Sequence, residues 1–243
     1  MTTKVFEDDA YAQTCDATVV AVTDEGAVQL DRTVLYATSG GQPGDTGWLE
    51  RADGTKLAIN GTTYADGGKS IVLHHPAEDG PLLKTGETVT VHLDWPRRYR
   101  LMQMHTACHI LSVVVPHPIT GAAVSEDNSR VDIDLAAPVT KEEVTAAMQA
   151  IVDADHPVFT RWITRAELEA NPGLVKSKNV RPPANAERVR LVCIGEDAAI
   201  DSQPCGGTHV QRTGELGTMH IGKIEKKGRE NRRFRIRFGT APA

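Results

Sequence analysis

Cysteine is scarce in this sequence, with four residues among 243: Cys15, Cys108, Cys193 and Cys205. So few and so scattered cysteines give no disulfide framework, and in a reducing cytosol they are expected to be free thiols or metal ligands. Long apolar runs are absent as well, because no stretch approaches the ~20 residues that a membrane-spanning helix needs. The first residues contain no apolar secretory core and soon become acidic. Together these absences predict a cytoplasmic protein with no membrane partner.

An excess of positive charge is also lacking, since the formal net charge is −5. This total argues against a nucleic-acid partner, but it conceals an asymmetry. In residues 1–92 the acids outnumber Lys and Arg by more than two to one, whereas residues 212–243 contain nine Lys or Arg and three Glu. Such a basic segment can bind phosphates, or it can be a charged edge strand that stays solvated. The residues alone leave both readings open.

The composition is that of an ordinary globular chain, 40% hydrophobic and 24% charged, and its length suffices for two domains. The first predicted domain, residues 1–94, has an all-β pattern of short apolar runs separated by Gly, Asp and Asn turns. Its predicted strands are 18–22, 27–30, 33–36, 71–73 and 88–92. No helix is expected there, and strands at this spacing favour a small β-barrel or sandwich.

The second predicted domain, residues 95–243, is α+β with a mainly antiparallel sheet. Asp94 as N-cap and Pro96 in the first turn favour a helix that extends to about residue 115. Capping-box sequences at Thr140 and Thr164 open two further helices. The predicted strands are 129–135, 188–194, 218–224 and 232–238. In the last of these, aromatic and aliphatic residues alternate with arginines, which is typical of a half-buried strand.

Two pairs of metal-ligand residues have the same four-residue spacing. His105 and His109 share one face of the predicted helix, so both imidazoles can point at one ion. Cys205 and His209 lie about a hundred residues later on a glycine-containing segment. One thiolate and three imidazoles form a natural tetrahedral zinc site. The sequence therefore predicts that these four residues bind one Zn²⁺ ion.

Other readings of this constellation stay open. The histidines could be core residues and Cys205 a buried thiol. A zinc protease of the H-E-x-x-H kind is excluded, because Thr106 stands where that motif has its glutamate. Four protein ligands also saturate a tetrahedral ion, which is typical of a structural site. Catalysis would then require a ligand to leave or a fifth to join, and His209 is expected to be the weaker ligand because the helix fixes the other two histidines better.

The two spaced pairs resemble the zinc signature of alanyl-tRNA synthetase editing domains and of their free-standing relatives, the AlaX family. The segment Ser39-Gly-Gly-Gln-Pro-Gly-Asp-Thr-Gly47 resembles the glycine-rich motif of the longer AlaX forms, and residues 201–209 resemble the family beyond the ligands. Nearly the whole chain takes part in the resemblance, which points to the medium-length form. It implies that residues 95–243 form a zinc-dependent editing domain.

The resemblance also implies a reaction, a partner and a set of substrate contacts. The reaction is hydrolysis of the ester between an amino acid and the terminal ribose of tRNA(Ala), with serine as the main and glycine as the second amino acid. Cys108 stands where alanyl synthetases often have Thr, which puts the preference between serine and glycine in doubt; it could equally be a small core residue. The implied substrate-binding residues are Gly40, Gly41, Gln42, Gly44, Asp45, Cys108 and Thr208. The glycines could instead simply permit tight turns.

Cations near these motifs are candidates for phosphate contacts with tRNA. They are Arg97, Arg98, Arg100, Lys176, Lys178, Arg181, Arg233, Arg235 and Arg237. No convincing general base emerges from the sequence. Asp201 is a weak candidate, and a hydrogen-bonding partner of a ligating histidine is at least as good a role for it.

Three rival functions remain at this point. A zinc-stabilised RNA-binding module without catalysis would explain a saturated metal site. Editing of a different tRNA is the second rival, since threonyl synthetases have a related domain. The third is a small-molecule metallohydrolase, which would not need the basic segment.

Overall fold

The computed structural model describes residues 1–65, 68–77, 83–182 and 186–242. The chain divides into two compact units, Met1–Tyr99 and Arg100–Ala243. The domain boundary expected at residues 94 and 95 falls at the start of the longest helix, and the division between the units falls within its first two turns.

The first unit is built mainly from short strands. Its elements are β1 (Thr3–Lys4), α1 (Val5–Asp8), β2 (Thr14–Val22), β3 (Val28–Leu30), β4 (Arg32–Thr33), β5 (Gly47–Arg51), β6 (Lys56–Tyr64), β7 (Val72–Pro76) and β8 (Thr88–Leu93). Six of these strands close a barrel in the order β2-β3-β7-β6-β5-β8, with antiparallel pairing. Alternate side chains along the strands fill its interior, among them Val19, Leu49, Ile59 and Val91. The expected small β-barrel is therefore confirmed.

Two local predictions in this unit are wrong. Residues 33–36 do not form a strand beyond Thr33, although Val34, Leu35 and Tyr36 are buried. Side chains replace a strand partner there: the amide of Leu35 donates to Thr33 Oγ1 and the amide of Tyr36 donates to an Asp45 carboxylate oxygen. The apolar run predicted burial correctly and the backbone conformation incorrectly. A single helical turn, α1, also occurs where no helix was expected.

His74 on β7 is a buried, neutral histidine inside the first unit. Its Nδ1 lies 2.9 Å from Val28 O and its Nε2 lies 2.8 Å from Thr33 Oγ1. Because the Val28 carbonyl can only accept, Nδ1 carries the ring proton and donates to it, and the neutral ring's Nε2 accepts from the Thr33 hydroxyl. Burial lowers the pKa of His74 from 6.5 to about 4.

This burial makes stability depend on pH. Since the folded pKa lies below the unfolded value, the stabilisation is fully present above pH 6.5 and is lost as the pH falls through about 4, a loss of ~3 kcal/mol. We expect the free energy of unfolding, measured with urea between pH 7 and pH 4, to fall more steeply for the wild type than for His74→Gln. Exposed His117 provides the matched control variant, His117→Gln. Parallel curves for wild type and His74→Gln would contradict this assignment.

The second unit combines helices with two antiparallel sheets. Its elements begin with α2 (Trp95–Val114), which enters from the first unit, and continue with β9 (Ile119–Ala123), β10 (Ser129–Asp134), α3 (Lys141–Asp153), β11 (Val158–Thr164), α4 (Arg165–Ala170), β12 (Arg188–Ile194), β13 (Asp201–Pro204), β14 (Met219–Lys226) and β15 (Asn231–Phe238). The four-stranded sheet has the order β14-β15-β10-β9, and the three-stranded sheet has the order β11-β12-β13. The prediction of mixed helices and mainly antiparallel sheets is confirmed.

Local sequence signals predicted several of these elements well. Thr140 and Thr164 form complete capping boxes with Glu143 and Glu167, which begin α3 and α4. β12 coincides with its predicted range, and in β15 Phe234 and Ile236 are buried. The prediction missed β9, β11 and β13. No helix among the described residues is long and apolar enough to cross a membrane.

Candidate metal centre

Helix α2 supplies the first pair of the candidate site. His105 and His109 are one turn apart, so their side chains lie on the same face of the helix. Both are buried, with 6% of each residue exposed, and their ring centroids are 5.4 Å apart. Buried histidines need partners for their ring nitrogens.

The segment that follows β13 supplies the second pair. Cys205 Sγ lies 3.5 Å from His105 Nε2 and 3.4 Å from His209 Nε2. The ring centroid of His209 lies 4.2 Å from that of His105 and 4.5 Å from that of His109. The structure thus brings together all four residues that the spacing singled out.

These distances fit a metal ion. One ligand atom from each of the four residues lies within 4.8 Å of the others. A tetrahedral zinc ion with bonds of about 2.0–2.3 Å would hold nitrogen and sulfur ligands about 3.5 Å apart. The protonation state of Cys205 also favours a metal cation at this site. Burial would raise the pKa of Cys205, yet electrostatic interaction with the surrounding histidines, His105 first, holds it well below its ordinary value, as a metal-binding thiolate requires.

The electrostatics of two other candidate ligands, His209 and His109, differ from each other. Burial beside two other histidines holds the pKa of His209 well below 6.5, so its ring is neutral and can bind a metal. Burial also opposes a charge on His109, but Asp201 and Cys205 outweigh it and raise the pKa of His109 to about 9. Binding of a metal must therefore displace a proton from His109.

Arg190 on β12 fixes the ligand-bearing segment and was not identified from the sequence. This arginine is 7% exposed, and its Nη1 donates to the carbonyl oxygens of Cys205 and Gly207, at 3.0 and 2.9 Å. The Cys205 amide in turn donates to Arg190 O at 3.1 Å. From the sequence alone, a buried arginine that holds backbone carbonyls cannot be told from an exposed one. Only the strand pairing reveals this role of Arg190.

Asp201, at the start of β13, lies behind His109. Its Oδ2 is 3.2 Å from His109 Nδ1, although the pair lacks the alignment of a well-formed hydrogen bond. Gln203 Nε2 donates to the same oxygen, Oδ2, at 2.7 Å, and Lys176 Nζ donates to the other oxygen, Oδ1. Burial opposes its charge, but His109 and Lys176 lower the pKa of Asp201 to about 2. Asp201 is therefore an ionised partner of a candidate ligand.

We expect Asp201→Asn to weaken metal binding by about 10–100-fold, because the carboxylate orients His109 and keeps its ring basic. Competition with a chromophoric chelator measures this affinity directly. Asp127→Asn removes an exposed carboxylate from the same unit and should leave the affinity unchanged. Equal affinities for Asp201→Asn and the wild type would remove Asp201 from the site.

His209 is fixed more firmly than the sequence suggested. Its Nδ1 lies 3.0 Å from Thr106 Oγ1, within hydrogen-bonding distance on α2. The reason for expecting His209 to be the weaker ligand therefore fails. Cys205 is the most exposed of the four residues.

The neighbouring residues Cys108 and Thr208 are both buried. Burial raises the pKa of Cys108 to about 12, so its thiol stays protonated and neutral. The metal-ligand cluster found among the described residues does not include it.

The glycine-rich segment lies in the first unit and has clear backbone roles there. Gly40 and Gly41 have φ of +58° and +86°, and Ser39 and Gln42 exchange backbone hydrogen bonds across them, which defines a two-residue hairpin turn. A Cβ on Gly44 would lie 2.0 Å from the carbonyl oxygen of Thr62. The turn glycines are exposed, whereas Gln42 is fully buried.

Arg98 holds this segment in place. It is 0% exposed and pairs with Asp45, while its Nη1 and Nη2 donate to Ala10 O at 3.0 Å and Val34 O at 2.7 Å. A side chain enclosed in this way has no surface to offer a phosphate. The structure gives Arg98 and Asp45 a role inside the first unit instead.

The other candidate cations fall into two groups. Most have a carboxylate or carbonyl partner: Arg97 with Gly44 O, Arg100 with Asp127, Lys176 with Asp201, Lys178 with Asp134, Arg233 with Asp132 and Arg235 with Glu225. Arg181 and Arg237 are exposed. These two have the freest access to an anionic partner.

Family models match both units of the chain. Residues 5–97 match the model for class II (A) tRNA synthetases. Residues 189–235, which include Cys205 and His209, match the threonyl and alanyl tRNA synthetase second additional domain.

Relatives of two lengths are similar to this chain. The alanyl-tRNA editing protein AlaX-M of Methanosarcina acetivorans is 35% identical over 96% of this chain and 98% of its own length. The AlaX-M protein of Saccharolobus solfataricus is 30% identical over 96% and 97%. The alanine–tRNA ligase of Pyrobaculum calidifontis is 36% identical over 93% of this chain, which spans only 25% of the ligase.

Proposed function

Since this chain belongs to the AlaX-M family of alanyl-tRNA editing proteins, we propose that it hydrolyses the ester joining a wrong amino acid to tRNA(Ala). Seryl-tRNA(Ala) is the main substrate and glycyl-tRNA(Ala) the second. The protein acts in trans, as a free-standing editing hydrolase. The observation that carries this proposal is the convergence of His105, His109, Cys205 and His209 in a chain of AlaX-M length.

The cofactor in this proposal is one Zn²⁺ ion held by those four residues. The mixed set of one thiolate and three imidazoles suits zinc better than magnesium or calcium, which prefer oxygen ligands. Bound zinc would supply a Lewis acid beside the ester, able to polarise a carbonyl and to orient the aminoacyl group.

The protein's own residues position the reactants. An aminoacyl ester is already reactive. The main task of the protein is therefore to hold the ester and an attacking water molecule in a productive orientation. Asp201 acts by orienting His109 rather than as a general base, because the residue is 3% exposed and its carboxylate is engaged by Lys176 and Gln203. Cys108 and Thr208 shape the amino-acid pocket from the same helix and segment as the ligands.

In the first unit, the exposed turn at Gly40 and Gly41 is the proposed contact for the acceptor end of the tRNA. Gln42 and Asp45 support that turn from inside. An exposed backbone without side chains lets a ribose or base approach closely.

Phosphate contacts by the exposed cations predict a strong salt dependence. If three cations bind phosphate, Kd for tRNA(Ala) should rise ~40-fold between 50 and 200 mM salt, because bound counterions are released on association. We expect Arg181→Ala or Arg237→Ala to reduce the slope of log Kd against log salt by about 1 each. Arg233→Ala, whose guanidinium is already paired with Asp132, is the matched control. A Kd that ignores salt would contradict a phosphate-dominated interface.

The test of the proposed function compares Ser-tRNA(Ala), Gly-tRNA(Ala) and Ala-tRNA(Ala) as substrates of the zinc-loaded protein. Release of serine or glycine well above the protein-free rate, with alanine retained, is the expected result. Equal release of alanine would contradict an editing role. No release from any substrate by a folded, zinc-loaded protein would favour the RNA-binding module, for which the four-ligand site is the specific observation.

A further inference from the structure

One face of the three-stranded sheet in the second unit is directed toward the candidate metal centre. Asp201 and Gln203, alternate residues of β13, direct their side chains to His109 and Ser112 of α2. Residues directly opposite each other on neighbouring strands have side chains on the same face. On β11 the register Val158↔Ile194↔Asp201 therefore assigns Val158, and every second residue after it, to this metal-facing side.

Trp162 lies on that side and is exposed. It is four residues along from Val158, an even number that keeps it on the same side, and 40% of the residue is accessible. An exposed indole on an edge strand offers the face of its ring to a planar partner. The buried part of the sheet, at Arg190 and Val192, ends next to this exposed ring.

A row across the sheet connects Trp162 to a candidate ligand. Trp162 is paired with Arg190, and the Arg190 carbonyl accepts from the amide of Cys205. Two strand spacings of about 4.8 Å place the backbones of Trp162 and Cys205 about 10 Å apart. Because Arg190 also holds the carbonyl oxygens of Cys205 and Gly207, this row is fixed relative to the ligand-bearing segment.

Charge around the indole suits a nucleotide. The guanidinium of Arg188, an exposed residue, lies 5.5 Å from the centre of the Trp162 ring. Nucleic-acid sites without base-specific readout combine exposed aromatic rings with cations in this manner. Among the described residues, no acidic side chain forms an ion pair or a hydrogen bond with Trp162 or Arg188.

We propose that Trp162 is a stacking platform for the unpaired nucleobase at the 3′ end of the RNA substrate, with Arg188 beside it for the adjoining phosphate. This inference rests on the proposed function, because the ester to be hydrolysed lies on the ribose of that same terminal nucleoside. The backbone separation of about 10 Å between Trp162 and Cys205 is comparable to the length of one nucleoside. The platform thus positions the ester without contacting it.

Fluorescence tests the platform without requiring hydrolysis. The probe is an RNA hairpin of the acceptor stem with a single-stranded CCA end, compared with the same hairpin lacking the terminal adenosine. Saturable quenching of the wild type by the CCA hairpin is expected, with weaker quenching by the shortened one. In Trp162→Phe the quenching should disappear while binding persists. Quenching that is the same in wild type and Trp162→Phe would overturn the proposal.

Kinetics on Ser-tRNA(Ala) provide the second arm. We expect Trp162→Leu to lower kcat/KM by about tenfold or more, chiefly through KM, because stacking is lost. Trp162→Phe should restore most of the activity. Phe159→Leu is the matched control: Phe159 is 37% exposed on the same strand, but three positions away and hence on the opposite face.

The outcomes separate this inference from the proposed function. If the wild type hydrolyses Ser-tRNA(Ala) and Trp162→Leu behaves like Phe159→Leu, the platform is wrong and editing stands. If the wild type quenches with CCA but hydrolyses nothing, editing is wrong and the platform stands. If Trp162→Leu alters the oligomeric state of the protein but leaves KM unchanged, the edge strand is an interface between copies of the chain. This outcome also overturns the platform.

Discussion

Cys205→Ala and His105→Ala are each expected to lose the bound metal and about a thousandfold in hydrolysis of Ser-tRNA(Ala). Each removes one of the four candidate ligands, and a bound Lewis acid would contribute several kcal/mol to stabilising the transition state. Metal content by atomic emission and single-turnover deacylation measure the two effects on the same samples.

Cys193→Ala is the matched control for the cysteine variant. Cys193 is fully buried on β12, so its replacement tests the general effect of removing a thiol from this unit. We expect it to retain stoichiometric metal and to deacylate at the wild-type rate. Metal-free Cys205→Ala that still hydrolyses Ser-tRNA(Ala) at the wild-type rate would make the ion structural and the catalytic proposal untenable.

Arg98→Met is expected to lower the free energy of unfolding by about 3–5 kcal/mol, because it leaves the buried Asp45 carboxylate without its cation. The guanidinium also satisfies the carbonyl oxygens of Ala10 and Val34, which would lose their donor. Urea denaturation monitored by circular dichroism measures the change.

Two further variants show whether the charge pair is responsible. Arg98→Met/Asp45→Asn removes both charges and should recover part of the lost stability. Arg100→Met, two residues along the same helix, breaks an exposed pair with Asp127 and should cost at most about 1 kcal/mol. If Arg98→Met is no more destabilised than Arg100→Met, the buried pair contributes little to the first unit.

The sequence predicted best those elements whose signals are local. Thr140 and Thr164 with glutamates three residues later marked the starts of two helices, a strand-like run marked β12, and strict alternation marked β15. β11 was missed because its side chains from Phe159 to Trp162 are all exposed, so no apolar alternation marks the strand. Residues 34–36 were wrongly predicted to be part of a strand because an apolar run indicates only that residues are buried. The backbone amides of Leu35 and Tyr36 donate to side-chain oxygens instead of to a neighbouring strand.

Residue spacing also identified the candidate ligands, but not the residues around them. A four-residue interval on a helix directly implies a shared face, so His105 and His109 could be paired without a structure. The roles of Arg190 and Lys176 depend on strand pairing and on contacts between distant segments. The same limit made Arg98 look like a surface cation, since nothing local distinguishes an enclosed arginine from an exposed one.

The candidate centre joins segments separated by a long stretch of chain, since His105 and Cys205 are 100 residues apart. At a synthesis rate of about 5–20 residues per second, the ribosome releases the helix pair about 5–20 seconds before the second pair. During that interval the two histidines can hold an ion only weakly and can exchange it. We therefore expect metal capture to be a late event of biogenesis, completed only when β12 and β13 have paired and Arg190 has fixed the segment that carries Cys205.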